Sequence, residues 1–150
     1  MNVSSPSDPF DLARFLHAQE PIYEQALAEL RSGRKQTHWM WFIFPQYEGL
    51  GYSATAQRYS IKSVAEAEAY LRHPILGPRL REFAAAVVEI EHRTAHEIFG
   101  SPDDLKLRSC ATLFAAVSPA GSEFEQLLRK YYGGAADTQT YALLGGARPG

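Results

Sequence analysis

His38, Trp39, Trp41, Gln46 and Tyr47 stand close together in the chain, just ahead of a turn that carries Gly49 and Gly51. Rings supply walls, while an imidazole, an amide and a phenol supply hydrogen bonds; binding sites combine apolar walls with a few convergent polar groups in this way. Pro45 and the two glycines fix the turn, because glycine reaches backbone angles closed to other residues. The polar side chains left over must either tie down backbone or face a ligand, since burial without partners is costly. The residues expected to line a depression here are His38, Gln46, Tyr47, Gly49, Gly51 and Tyr59, reached from neighbouring helices by Arg79 or Lys106.

Other chemistry-bearing residues point elsewhere. Gly49-Leu50-Gly51 is no phosphate-binding fingerprint, because it lacks a third glycine and the Lys-Ser/Thr pair of a P-loop. His92 and His96 have the four-residue spacing that lets two imidazoles grip one metal on a helix. Arg93 stands where a helical metalloprotease needs Glu, and with Glu91 and Glu97 it suggests a charge-laced helix end, so no metal is expected. Cys110 shares a helical face with Leu107, Phe114 and Val117, which makes it a buried, inert thiol. Lys106, Ser109 and Thr112 line up on the same helix behind Asp103 and Asp104, a pattern that reads as a solvated face with carboxylates at the favourable end of the helix dipole. Asp137 with Thr138 or Thr140 reads as a cap of the last helix. No nucleophile elbow, kinase set, dinucleotide fingerprint, deaminase zinc motif or EF-hand loop is present, and no cofactor is expected.

The elements that must position these residues are helical. Asp8-Pro9 reads as a helix start, followed by Leu12, Phe15 and Leu16, and a second helix carries Ile22, Tyr23, Ala26, Leu27 and Leu30 before Gly33. Trp39 to Phe44 is too short to distinguish a buried strand from a buried helical turn, and Pro45 ends it in either case. Ser63 and Glu66 make a capping-box pair ahead of Val64, Ala67 and Leu71. Leu76, Leu80, Phe83, Val87 and Ile90 recur at intervals of four and three, the clearest amphipathic helix in the chain, with Gly77-Pro78 shifting its start toward Pro78. Ser101-Pro102 reads as the cap of the helix that holds Cys110, and Phe124, Leu127, Leu128 and Tyr131 mark another, stopped by Gly133 and Gly134.

Composition narrows the function classes. With 150 residues, 45% hydrophobic and 21% charged, the chain suits one self-sufficient core. A net charge of -2 gives no global positive field, so nucleic acid is not an expected partner. One cysteine permits no intrachain disulfide, the apolar runs fall short of the ~20 residues of a membrane span, and Met1 to Ser7 has no secretory h-region. The expected compartment is the cytoplasm, with no membrane partner.

His38-Trp39-Met40-Trp41-Phe42-Ile43-Phe44-Pro45-Gln46, then Gly49-Leu50-Gly51 and Tyr59-Ser60-Ile61, resemble the signature of the family known as domain of unknown function 1810 (DUF1810). Ala69-Tyr70-Leu71, His73-Pro74, Leu76-Gly77-Pro78-Arg79-Leu80, Ile98-Phe99-Gly100, Lys106-Leu107 and Thr112-Leu113-Phe114 extend the resemblance over about Asp8 to Leu144. It implies a mainly helical fold and carries no activity with it. Where the family pattern often has Ser then Met, this chain has Cys110 then Ala111, a departure that weighs further against a nucleophilic cysteine.

The reading is therefore a mainly α, single compact multi-helical domain over 8–144, with an aromatic-rich segment and an ordered loop near 38–53 and flexible tails at 1–7 and 145–150. Its expected function is to bind a small molecule beside the 45–51 loop, whether or not chemistry follows. The alternative is a protein-interaction module that presents exposed aromatics of the 39–47 segment to a protein partner.

Overall fold

Capping and apolar spacing set the helices. The computed structural model describes residues 8–145, so the expected tails lie outside it except for Gly145. In chain order come α1 (Ala13–Gln19), α2 (Tyr23–Arg31), α3 (Met40–Ile43), α4 (Ala54–Arg58) and α5 (Val64–Arg72). They are followed by α6 (Leu76–Glu89), α7 (Ala95–Phe99), α8 (Asp103–Ala116), α9 (Glu123–Tyr132) and α10 (Thr138–Leu143). No strand forms among the described residues. Extended chain meets extended chain at an isolated parallel bridge between Tyr47 and Ile61, where Ile61 N donates to Gln46 O and Glu48 N donates to Ile61 O, both at 2.8 Å.

α6 is the centre of the packing. Leu76, Leu80, Phe83, Val87 and Ile90 are all buried, and α2, α5 and α9 pack against this helix. The helix begins at Leu76 and not at Pro78, because a proline in the first turn lacks an N–H that would have no intrahelical partner there. Gly77 is required for another reason: a Cβ on it would lie 2.1 Å from the carbonyl oxygen of Leu71. Truncating a core ring such as Phe83 to Ala would cost roughly 3–5 kcal/mol.

The segment that sequence left open between strand and helix is the single turn α3. Trp39 and Phe44 flank it, both fully buried, and form a ring cluster with Phe83 and Phe99 at centroid distances of 6.0–6.5 Å. Trp41 and Phe42, on its other side, are half-buried.

Five local expectations change. Asp8 does receive the N–H groups of Leu12 and Ala13, but regular helix starts only at Ala13. Ser63 caps α5, while the Glu66 carboxylate turns away from the Ser63 N–H to accept from Lys62 N and from Arg14. Ser101 supplies no cap to α8, which starts at Asp103. The line Ser109–Thr112 is not a solvated face: both side chains are buried beneath the segment leading into α10, where Asp137 N donates to Thr112 Oγ1 at 2.8 Å. His92 and His96 do not share a helix, because α6 has ended at Glu89 and α7 starts at Ala95.

Candidate functional site

One wall of the site begins with a buried carboxylate that sequence reasoning did not single out. Glu29 Oε1 accepts from Gln36 N (2.8 Å), Thr37 N (3.1 Å) and Trp39 Nε1 (2.9 Å), and Oε2 accepts from Thr37 Oγ1 (2.7 Å) and Gln25 Nε2 (3.1 Å). Burial pushes its pKa up, but the donors outweigh burial and hold it at about 2. Glu29 thereby folds residues 36–39 onto α2 and fixes where α3 starts. From the opposite side, Gln19 Nε2 donates to Phe42 O at 2.8 Å, and Ile61 grips the backbone of Gln46 and Glu48. The backbone on which Trp41 and Gln46 sit is therefore held at both ends.

The loop after Gln46 closes against α4. A Cβ on Gly51 would stand 2.8 Å from the Ala56 Cβ, so this approach needs glycine. Gly49 has φ +102° and lies against Leu143.

The facing wall is α8 and the start of α10. Asp137 caps α10 by accepting from Thr140 N and Thr140 Oγ1, and it also accepts from Ser109 Oγ at 3.2 Å; all three bonds end on Oδ2. Arg108 holds the preceding turn by donating to Ala135 O and Ala136 O. Lys106 crosses toward the first wall, its Nζ 4.8 Å from the centroid of the Trp41 ring. It also makes a 3.5 Å ion pair with Asp103, whose other oxygen takes Lys35 Nζ at 2.9 Å.

Between the walls lies a cavity of about 460 Å³, lined among others by Trp41, Gln46, Gly51, Lys106, Ser109 and Asp137, with Tyr52 and Leu105 also on its border. Behind it, a void of about 10 Å³, no more than one water needs, touches Trp41, Gln46, Tyr47, Gly51 and Tyr59. The polar groups of this cavity have bonding capacity to offer. Among the described residues, the Gln46 side-chain amide makes no hydrogen bond, the Lys106 ammonium has its ion pair and its ring but no hydrogen bond, and Asp137 Oδ1 accepts nothing.

The structure thus brings Gln46, Gly51 and Lys106 to one cavity and Tyr47 and Tyr59 to the void behind it. Gly49 stays on the same loop but turns toward Leu143. His38 and Arg79 do not reach the cavity. His38 is exposed on the segment that Glu29 draws toward α2, and Arg79 is engaged with Gln19, Glu20 and the Tyr23 ring. Ser109 and Asp137 join the site although sequence placed one on a solvated face and the other in a cap. The signal available was the polar line on α8, which needed a partner once it was buried.

A second, wider groove of about 800 Å³ runs past Arg14, Arg58, Lys62 and Glu66. Arg14 donates to the carbonyls of Phe10, Asp11, Arg58 and Ser60 and to Glu66 Oε2 at 2.8 Å, and both members of that ion pair are buried. Lys62 donates to Gln57 O and Ser60 Oγ.

Among the described residues, no group of three or more His, Cys, Asp or Glu side chains is arranged to hold a metal ion, and no helix is long and apolar enough to cross a membrane. Cys110 is buried, and burial pushes its thiol pKa well up.

A family model described as protein of unknown function (DUF1810) matches residues 9–144. The crystal structure of the conserved hypothetical protein Rv1873 from Mycobacterium tuberculosis, at 1.38 Å, superposes with a TM-score of 0.90 at 56% sequence identity, covering 92% of this chain and 99% of that one. No curated protein matches the sequence.

Proposed function

The chain belongs to the DUF1810 family of proteins of unknown function, and we propose that it is a cytoplasmic protein that binds a small molecule in the cavity between the 46–56 segment and α8. One observation carries this reading. The Gln46 amide stands on a backbone held by Ile61, borders the cavity and has no partner among the described residues. A fixed polar group with free donors and an acceptor, beside an aromatic wall, is the usual make-up of a ligand pocket.

The lining favours binding over chemistry. It contains no imidazole and no thiol, and the Ser109 hydroxyl donates to a carboxylate whose Oδ2 also caps a helix. The interaction-module alternative draws no support from the aromatic run, since Trp39, Trp41, Phe42, Phe44 and Tyr47 are all buried or half-buried.

A thermal-shift screen of metabolites tests the proposal. A ligand at 100 times its Kd should stabilise the protein by about 2.7 kcal/mol. The shift should vanish in Gln46→Ala or Lys106→Ala. A hit whose shift survives both substitutions would overturn this location.

A further inference from the structure

We propose that the ligand is a mononucleotide, a planar base carrying one phosphate; this rests on the small-molecule reading of the cavity above. The charge of the lining is the first argument. The lining carries Lys106 and Arg108 against one carboxylate, Asp137, and the Asp103 beside Lys106 is shared with Lys35, so the charges about this wall sum to one positive and suit an anion.

The disposition of those charges sets how much anion. Arg108 is engaged with two backbone carbonyls, whereas the Lys106 ammonium has no hydrogen bond to a described residue and is steadied by the Trp41 ring and Asp103. One available ammonium suits a single phosphate and not a polyphosphate, which needs several cations.

The remaining groups suit a base. Trp41 borders both the cavity and the void behind it, and an indole is the kind of platform on which nucleobases stack. The Gln46 amide offers a donor and an acceptor side by side, the pattern that pairs with the edge of a base. An apolar ligand would bury Gln46 and Lys106 without partners, which is unfavourable. A volume of about 460 Å³ lies low in the range of ligand pockets, roughly 300–1,000 Å³, and suits one nucleotide better than a dinucleotide.

Isothermal titration decides it. The probes are the 5′-monophosphates of adenosine, guanosine, cytidine and uridine, the four matching nucleosides and inorganic phosphate, titrated into wild type, Lys106→Gln and Gln46→Ala after each variant is shown to melt within a few degrees of wild type. At least one monophosphate should bind at least tenfold more tightly than both its nucleoside and inorganic phosphate. Lys106→Gln should erase the gap between that monophosphate and its nucleoside, and Gln46→Ala should weaken both. The inference is overturned if no monophosphate binds at millimolar concentration, or if nucleoside or phosphate alone matches the monophosphate. Failure of the two readings is distinguishable. A neutral metabolite that binds and is lost in Gln46→Ala would leave the cavity a binding site while removing the nucleotide, and metabolite binding indifferent to both variants would remove the two together.

Discussion

Two polar concavities on this molecule differ in what their side chains have left to give. In the groove over α1 and α5, Arg14 has five acceptors within reach, and Glu66 accepts from Arg14 and from Lys62 N. In the cavity beside α8, the Gln46 side-chain amide and the Lys106 ammonium have no hydrogen-bonding partner among the described residues. The first region is the larger opening, yet its polar groups serve the fold; the second is smaller, and its polar groups are held in place by other residues. Size therefore does not locate the site, whereas uncommitted hydrogen-bonding capacity on a fixed backbone does.

The sharpest way to break this contrast is Arg14→Leu. Removing the guanidinium leaves Glu66 buried without its cation and takes one donor from each of four carbonyls, so the change should cost roughly 3–5 kcal/mol in urea denaturation. A cost below about 1 kcal/mol would mean that the groove is not structural.

Glu29→Ala comes next, at roughly 2–4 kcal/mol, because five donors lose a charged acceptor. The sign of the pH effect follows from its lowered pKa. The folded value is about 2 against an ordinary 4.5, so the stabilisation is complete above about pH 4.5 and drains away as pH falls toward 2. Melting curves of wild type should show that loss, and those of Glu29→Gln should be flatter across the same window.

Thr112→Val probes the wall shared by α8 and α10. Its hydroxyl accepts from Asp137 N and is buried, so the substitution should cost about 1–2 kcal/mol in thermal melts. At the small end, Gln46→Ala and Lys106→Ala should each change stability by no more than about 0.5 kcal/mol. A loss of 1–3 kcal/mol from Gln46→Ala would instead mark the amide as a structural tie, in the range of a buried partner left unsatisfied.

What could be read from the sequence follows how local each signal is. The α6 stripe was legible because five apolar residues at helical spacing meet one core, and Cys110 because its neighbours on α8 are apolar. That Gln46 borders a cavity could be expected because it follows Pro45 on a rigid turn with a polar side chain that needs a use. His38 could not be placed, since its exposure depends on a carboxylate nine residues earlier drawing residues 36–39 aside. The Arg14–Glu66 pair joins residues 52 apart, and no periodicity foreshadows it. Ser109 and Thr112 were misread for the same reason: their burial depends on Asp137, which arrives from beyond α9. Four helical residues in α3 are too few for any period to distinguish helix from strand.

Whether a ligand enters the α8 cavity can be read from the two indole N–H signals of the chain in a ¹H–¹⁵N spectrum. Trp39 Nε1 is buried and bonded to Glu29, whereas Trp41 borders the cavity, so the two tryptophans report on different places. Titrating the strongest compound from the metabolite screen, with the signals assigned through Trp41→Phe, should move the Trp41 indole peak and leave the Trp39 peak in place. A titration that saturates while the Trp41 peak stays still, or that shifts Trp39 alone, would place the ligand outside this cavity.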